Sequence, residues 1–171
     1  MSHEVHHSEA EHVGRLRCAV ITVSDTRTEE TDRSGSLMQV RLEKAGHDTV
    51  LYRIVPDNPA VIKDAMTKLA GKVDVVLFNG GTGISKRDRT YEAITSMLDQ
   101  ELPGFGELFR MLSYEEIGAA AMLSRATAGV YKNTLIISTP GSLNAVKLAM
   151  EKLVIPELKH LVWEVIRQQE V

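Results

Sequence analysis

"VDVVLFNGGTGISKRDRT", Val73–Thr90, joins an apolar run to a glycine-rich loop and then to a cluster of charge. The run from Val73 to Phe78 is short, apolar and nearly unbroken. That pattern reads as a strand covered on both faces, as in a parallel sheet, rather than one with a wet side. It stops abruptly at Gly80-Gly81-Thr82-Gly83, and Lys86, Arg87 and Asp88 follow within five residues. Thr90 is of the type that caps a helix, here one expected over Tyr91–Leu98. The unit is strand, flexible loop, helix, with the charge at the strand's carboxyl end.

Working outward, the same alternation recurs. "RLRCAVITV" is a buried strand over 17–23 that stops at Ser24-Asp25, and Ser36–Ala45 carries Met38, Leu42 and Ala45 at helical spacing before Gly46. "TVLYRIV", 49–55, is a second strand ended by Pro56-Asp57. Residues 59–70 then place Ile62, Ala65, Met66 and Leu69 on one helical face, with Pro59 in the first turn. Residues 104–123 read as an apolar helix. "TAGVYKNTLIIST" gives two extended segments about the turn signal Lys132-Asn133. Ser142 starts a helix bearing Leu143, Val146, Met150 and Leu153, and Pro156 begins or kinks a last one bearing Leu158, Leu161, Val162, Val165 and Ile166. Strands alternating with helices at this spacing predict an α/β fold, a three-layer αβα sandwich with a mainly parallel sheet.

Bulk properties narrow the function. A chain of 171 residues with 43% hydrophobic and 25% charged side chains suits one domain with a real core. A net charge of -3 speaks against a nucleic-acid partner. No apolar run reaches membrane-spanning length and no signal peptide opens the chain, so a cytoplasmic protein is expected. The single cysteine, Cys18, sits in an apolar strand and reads as a small core residue in a reducing compartment. Residues 1–14 hold His3, His6, His7 and His12 and read as a mobile tail rather than a metal site, with the domain proper over 15–171.

In parallel sheets ligands lie beyond the carboxyl ends of the strands. Here those ends carry Ser24-Asp25, Asp57, Gly80-Gly81-Thr82-Gly83 and Pro140-Gly141-Ser142. If the strands are neighbours, all four clusters share one rim. Glycines let the backbone approach a ligand closely, and amides at loop and helix starts suit phosphates. Asp57 and Asp88 beside Lys86 and Arg87 fit a Mg²⁺–nucleotide site, because magnesium takes one or two carboxylates plus phosphate oxygens and water. The plainer readings are a tight turn for the glycines and a helix cap for Asp57. "GGTGISKR" lacks the Gly-Lys-Ser/Thr of a P-loop, and no G-x-G-x-x-G follows the first strand. Ser124-Arg125 could place a guanidinium on a phosphate or simply be solvated. His47 and His160 read as surface residues, and Trp163 as an edge or subunit contact.

Taken together, "TVSDTR", "GGTGISKRDRTYEA", "ELPGFGELFR", "LSRATAG" and "STPGSLNAV" resemble the molybdenum-cofactor biosynthesis proteins of the MoaB/MogA type, in order from about residue 17 to 160 and nearer the MoaB branch. The resemblance implies a molybdopterin-binding fold and a molybdopterin adenylyltransferase, in which ATP and molybdopterin give adenylyl-molybdopterin and pyrophosphate with Mg²⁺ required. It implies that Asp57 and Asp88 are the catalytic, metal-holding acids. Ser24, Asp25, Gly80, Gly81, Thr82, Gly83, Lys86, Thr90, Ser124, Arg125, Pro140, Gly141 and Ser142 would surround the substrates. Lys86 stands where relatives often carry proline, and Arg89 where they often carry a small apolar residue; both add positive charge. The resemblance also implies a homotrimer or homohexamer, for which "FGELFRMLSYEEIGAAAML" supplies an apolar contact. The alternatives are a carrier or scaffold that holds molybdopterin without chemistry, and a pyrophosphatase or deamidase like the competence-damage proteins.

Overall fold

The computed structural model describes residue 10 and residues 12–167. Six strands form one sheet: β1 (Arg17–Val23), β2 (Asp48–Val55), β3 (Val75–Asn79), β4 (Gln100–Glu101), β5 (Thr127–Tyr131) and β6 (Thr134–Thr139). Their order across the sheet is β2-β1-β3-β6-β5-β4. The first four in that order run parallel, while β5 is antiparallel to β6 and β4 to β5. The β5–β6 reversal is a hairpin in which Lys132 and Asn133 both take positive φ, 44° and 61°. Two successive left-handed residues match the twist of the strands they join.

Helices cover both faces. α1 (Arg33–Lys44), α4 (Pro103–Ile117), α5 (Leu143–Ala149) and α6 (Ile155–Arg167) lie on one face, and α2 (Pro59–Leu69) and α3 (Thr90–Thr95) on the other. Strand residues alternate between two cores. Val20, Leu77 and Ile137 join Met38, Phe109 and Val146, whereas Ile21, Phe78 and Ile136 join Ile62, Met66 and Ile94. Phe78, Leu77, Ile136 and Ile137 are completely buried, each worth about 1.5–3 kcal/mol over exposure. Cys18 is fully buried as read, and burial, helped by the charges of Asp74 and Asp48, pushes its thiol up to about 12.

The expected three-layer sandwich is therefore the observed one, with local corrections. α1 starts three residues before the expected Ser36, because the Asp32 carboxylate accepts the Gly35 N–H at 3.0 Å and caps the earlier turn. The 104–123 helix is two pieces: α4 stops at Gly118, whose φ of 66° is not helical, and Gly118–Leu123 continues as a 3-10 turn. α3 ends at Thr95, short of Leu98. Pro156 lies in the first turn of α6, and the turn before it, Met150–Val154, widens to a π-helix. Proline lacks an N–H and its ring crowds the carbonyl four residues back, so the wider turn is the relief. Ala10 is buried and Val13 leans on the core, so packing begins within the 1–14 segment; His12 is exposed, and His3, His6 and His7 lie outside the described residues.

Two histidines are corrections. His47 is 4% exposed, since the chain turns inward after Gly46, and its Nδ1 accepts the Leu16 N–H at 3.3 Å. His160 is half-buried with Nδ1 3.0 Å from Glu157 Oε2. Among the described residues no helix is long and apolar enough to cross a membrane.

Candidate functional site

Strand order reverses between β1 and β3, where one connection leaves toward β2 and the other toward β6. This switch point opens a cleft because adjoining loops depart in opposite directions. The cleft measures about 420 Å³ and is lined by the segments that follow β1, β3 and β6, namely Val23, Ser24, Thr26, Arg27, the loop Gly80–Gly83, Asp88, Pro140 and Gly141, and by Leu123 and Ser124 ahead of β5.

Backbone meets backbone here. Gly80 has φ of 100°, and a side chain on it would run into the Val23 carbonyl oxygen. Gly81 has φ of 64°, and a methyl there would collide with the Thr90 hydroxyl and lie 2.7 Å from Asp57 Oδ2. Only glycine satisfies both the conformation and the space. The loop's far end returns through the Thr90 N–H, which donates to the Gly81 carbonyl at 3.1 Å.

Asp57 follows β2 and escapes capping duty, because Asn58 caps α2 by accepting the Ala60 N–H at 2.9 Å. Asp57 Oδ1 accepts the Arg89 N–H at 3.2 Å and the Thr90 hydroxyl at 3.3 Å. Thr90 does not cap α3; its hydroxyl is turned to Asp57, and Arg89 occupies the cap position without a side-chain bond. Burial raises the Asp57 pKa above the usual carboxylate range, and the charges of Asp88 and Asp25 push the same way against those two hydrogen bonds. Asp88 lines the cleft and accepts the Ser85 hydroxyl at 2.5 Å. Asp25 accepts the Asp57 N–H at 3.1 Å and pairs with Arg87 at 2.6 Å.

Magnesium fits this donor set. The ion takes one or two carboxylates with phosphate oxygens and water; Asp88 lines the cleft beside Gly83, and Asp57, outside the lining, lies beside Gly81 of the same loop. No group of three or more His, Cys, Asp or Glu with metal-binding placement occurs among the described residues.

The structure separates the remaining expected residues. Ser24 is half-buried in the cleft wall, and its hydroxyl accepts the N–H groups of Thr26 and Arg27 at 3.2 and 3.1 Å. Ser142 is exposed and caps α5 by accepting the Ala145 N–H at 3.2 Å. Lys86 is exposed outside the cleft lining. Arg125 is aimed at protein: Nε donates to the Thr82 carbonyl at 3.0 Å, Nη2 to the Gly83 carbonyl, and Nη1 pairs with Glu92, whose carboxyl it holds below the usual range. Its guanidinium also lies 4.9 Å from the Tyr91 ring centre. Arg125 thus ties the glycine loop to α3. Thr26, Arg27 and Leu123 are cleft residues that the sequence reading passed over; Arg27 stood in plain view in "TVSDTR", three residues beyond Ser24.

The family described as a probable molybdopterin binding domain matches residues 19–160. Molybdenum cofactor biosynthesis protein B of Bacillus subtilis is 58% identical over 172 aligned residues, covering 96% of this chain and 98% of its own. A crystal structure of molybdenum cofactor biosynthesis protein B superimposes with a TM-score of 0.87 at 52% identity, over 91% of this chain and 99% of that one. The tungsten cofactor synthesizing protein MoaB from Pyrococcus furiosus does so at 0.80 and 41% identity, over 88% and 97%.

Proposed function

This chain belongs to the molybdopterin-binding domain family of molybdenum cofactor biosynthesis, and from that premise we propose that it transfers an adenylyl group from ATP to molybdopterin with the help of Mg²⁺. The observation that supports the chemistry is the convergence of Asp57 and Asp88 on a glycine loop whose backbone walls the cleft. A phosphate oxygen of molybdopterin forms a bond to the α-phosphorus of ATP, the bond from that phosphorus to the bridging oxygen breaks, and pyrophosphate leaves. The attacking oxygen is already anionic, so no general base is required and alignment with charge neutralisation does the work. Magnesium, when bound, would offset the charge that develops on the departing pyrophosphate.

Asp57 and Asp88 are the residues that would hold the ion. The Gly80 N–H is taken by the Thr139 carbonyl at 3.0 Å, so the N–H groups of residues 81–83 cradle phosphate, with Lys86 reaching ATP from outside the rim. Ser24, Ser142 and the Pro140-Gly141 turn orient the pterin. Arg125 keeps the loop in register from behind through the carbonyls of Thr82 and Gly83. A self-association into trimers or hexamers has support in the exposed apolar strip Leu108, Met111, Tyr114, Ile117 and Met122 on α4 and its 3-10 extension. Light scattering on the purified chain reads that state directly.

The test is incubation with molybdopterin, Mg²⁺ and ATP, following pyrophosphate and the adenylylated pterin by mass. Asp88→Asn should slow the reaction about a hundredfold or more, the size of several kcal/mol of lost charge stabilisation. Near wild-type pyrophosphate release by that variant removes the metal assignment. Pterin binding with no ATP consumed by the wild type favours the carrier reading instead.

A further inference from the structure

We propose that Arg27 is the cation that contacts phosphate oxygens of the substrates in this cleft. The proposal rests on the reading of the cleft as a phosphate site. Five basic side chains surround the rim, and the geometry takes four of them out of contention. Lys86, Arg87 and Arg89 stand outside the lining, and Arg87, with its side chain 81% exposed, is paired with Asp25. Arg125 spends its donors on the carbonyls of Thr82 and Gly83 and on the Glu92 carboxylate. Arg27 is the one basic residue among the cleft-lining side chains of the described residues.

Its placement is built rather than accidental. The Ser24 hydroxyl accepts the Arg27 N–H at 3.1 Å and curls the segment after β1 back over the cleft. Nη2 donates to the Gly141 carbonyl at 2.8 Å, and Nη1 lies 3.5 Å from Asp32 Oδ1. The Asp32 side chain is fully buried and is fixed by the Tyr52 hydroxyl at 2.7 Å and the Gly35 N–H at 3.0 Å. A side chain at Gly35 would lie 2.7 Å from the Thr22 hydroxyl and 2.9 Å from the Tyr52 ring, so this anchor has no slack. A guanidinium has five N–H donors. Two are engaged by protein, and those remaining sit on a side chain 32% exposed. The side chain lines the cleft, which puts those remaining donors within reach of a tetrahedral anion bound there.

The shared chemistry is a phosphate ester oxygen, from ATP or from the terminal phosphate of molybdopterin. Equilibrium titrations of the full-length chain with Mg·ATP, with inorganic pyrophosphate and with molybdopterin separate the two sources. Arg27→Ala should weaken one of the phosphate ligands about 10- to 100-fold, the loss of a charge-assisted contact. It should leave the other within about twofold. A loss confined to ATP and pyrophosphate assigns Arg27 to the nucleotide, and one confined to molybdopterin assigns it to the pterin phosphate. Because Arg27→Ala also leaves the buried Asp32 charge without its cation, Arg27→Ala with Asp32→Asn repeats the measurement with that charge removed. Wild-type affinity for all three ligands in both variants overturns the assignment of Arg27 alone. A wild-type chain that binds none of them overturns the phosphate-site reading and this proposal together.

Discussion

Tyr52→Phe isolates the anchor beneath the cleft. Tyr52 lies on β2, its register partner is Val20 on β1, and its ring leans on the core beside α1. Its hydroxyl donates to Asp32 Oδ2 at 2.7 Å, whereas the other carboxylate oxygen is served by Gly35 and Arg27. Phenylalanine keeps the ring and removes only the donor, so no cavity opens. One oxygen of a completely buried carboxylate then loses its partner. A hydrogen bond to a charged group is worth about 1.5–3 kcal/mol, and that is the expected loss of unfolding free energy. At roughly 2–4 °C per kcal/mol for a domain of this size, the melting midpoint should fall by about 3–12 °C.

The assay is thermal and urea unfolding followed by circular dichroism, run as a double-mutant cycle with Asp32→Asn. If the bond carries the effect, Tyr52→Phe should cost far less in the Asp32→Asn background. A second signature is alkaline. Burial, and then the bond to Asp32, raise the Tyr52 pKa. A raised phenol binds its proton more tightly in the folded state, so stability is intact below the unfolded value near 10 and falls as pH climbs above it. That alkaline slope should be shallower in Tyr52→Phe. A variant within about 0.5 kcal/mol of wild type, with its alkaline slope unchanged, would refute the anchor.

Three further outcomes follow from the same geometry. Asp57→Asn preserves an acceptor for Arg89 and Thr90 while removing a charge that burial and two acidic neighbours disfavour. Its unfolding midpoint should match or exceed wild type while adenylyl transfer, followed as pyrophosphate, drops by about two orders of magnitude. Gly81→Ala forces a methyl into positive φ and against Thr90, so calorimetry should show a loss of about 1–3 kcal/mol, and pyrophosphate release should fall with it. His47→Asn offers an oxygen near Nδ1 for the Leu16 N–H and deletes the titrating ring. Burial, then the charges of Lys159 and Arg15, lower the His47 pKa against the opposing Asp48 and Asp74, so the unfolded chain binds the extra proton first. Wild-type stability should therefore decline as pH falls below the ordinary value of 6.5, and melts at pH 7.5 and 5.5 should differ less in the variant.

The layer order and the rim of loops were legible because they depend on patterns that survive in one dimension. Unbroken β-branched runs such as Val20–Val23 mark strands covered on both faces, and such strands bring their carboxyl ends together wherever the chain between them is long enough for a helix. Short elements escaped for the opposite reason. β4 is two exposed residues, Gln100 and Glu101, whose pairing with Val130 and Gly129 exists only once the β5–β6 hairpin is in place.

The direction of a charged side chain is a different kind of information, set by partners that sequence distance hides. Arg27 finds its carbonyl 114 residues away at Gly141, and Arg125 finds its own 43 residues back at Thr82. Both arginines stand in recognisable motifs, yet the sequence points only to Arg125 as a phosphate ligand and passes over Arg27, because a guanidinium serves whichever acceptors the fold presents first. For Arg125 those are the inward carbonyls of the glycine loop, which turn its charge toward the protein. For Arg27 they are one carbonyl and one buried carboxylate, which leave its other donors unengaged on a side chain that lines the cleft. The same residue type is thus fully engaged by protein on one wall of the site and keeps spare donors on the other, and the difference lies in how many acceptors the fold brings to it.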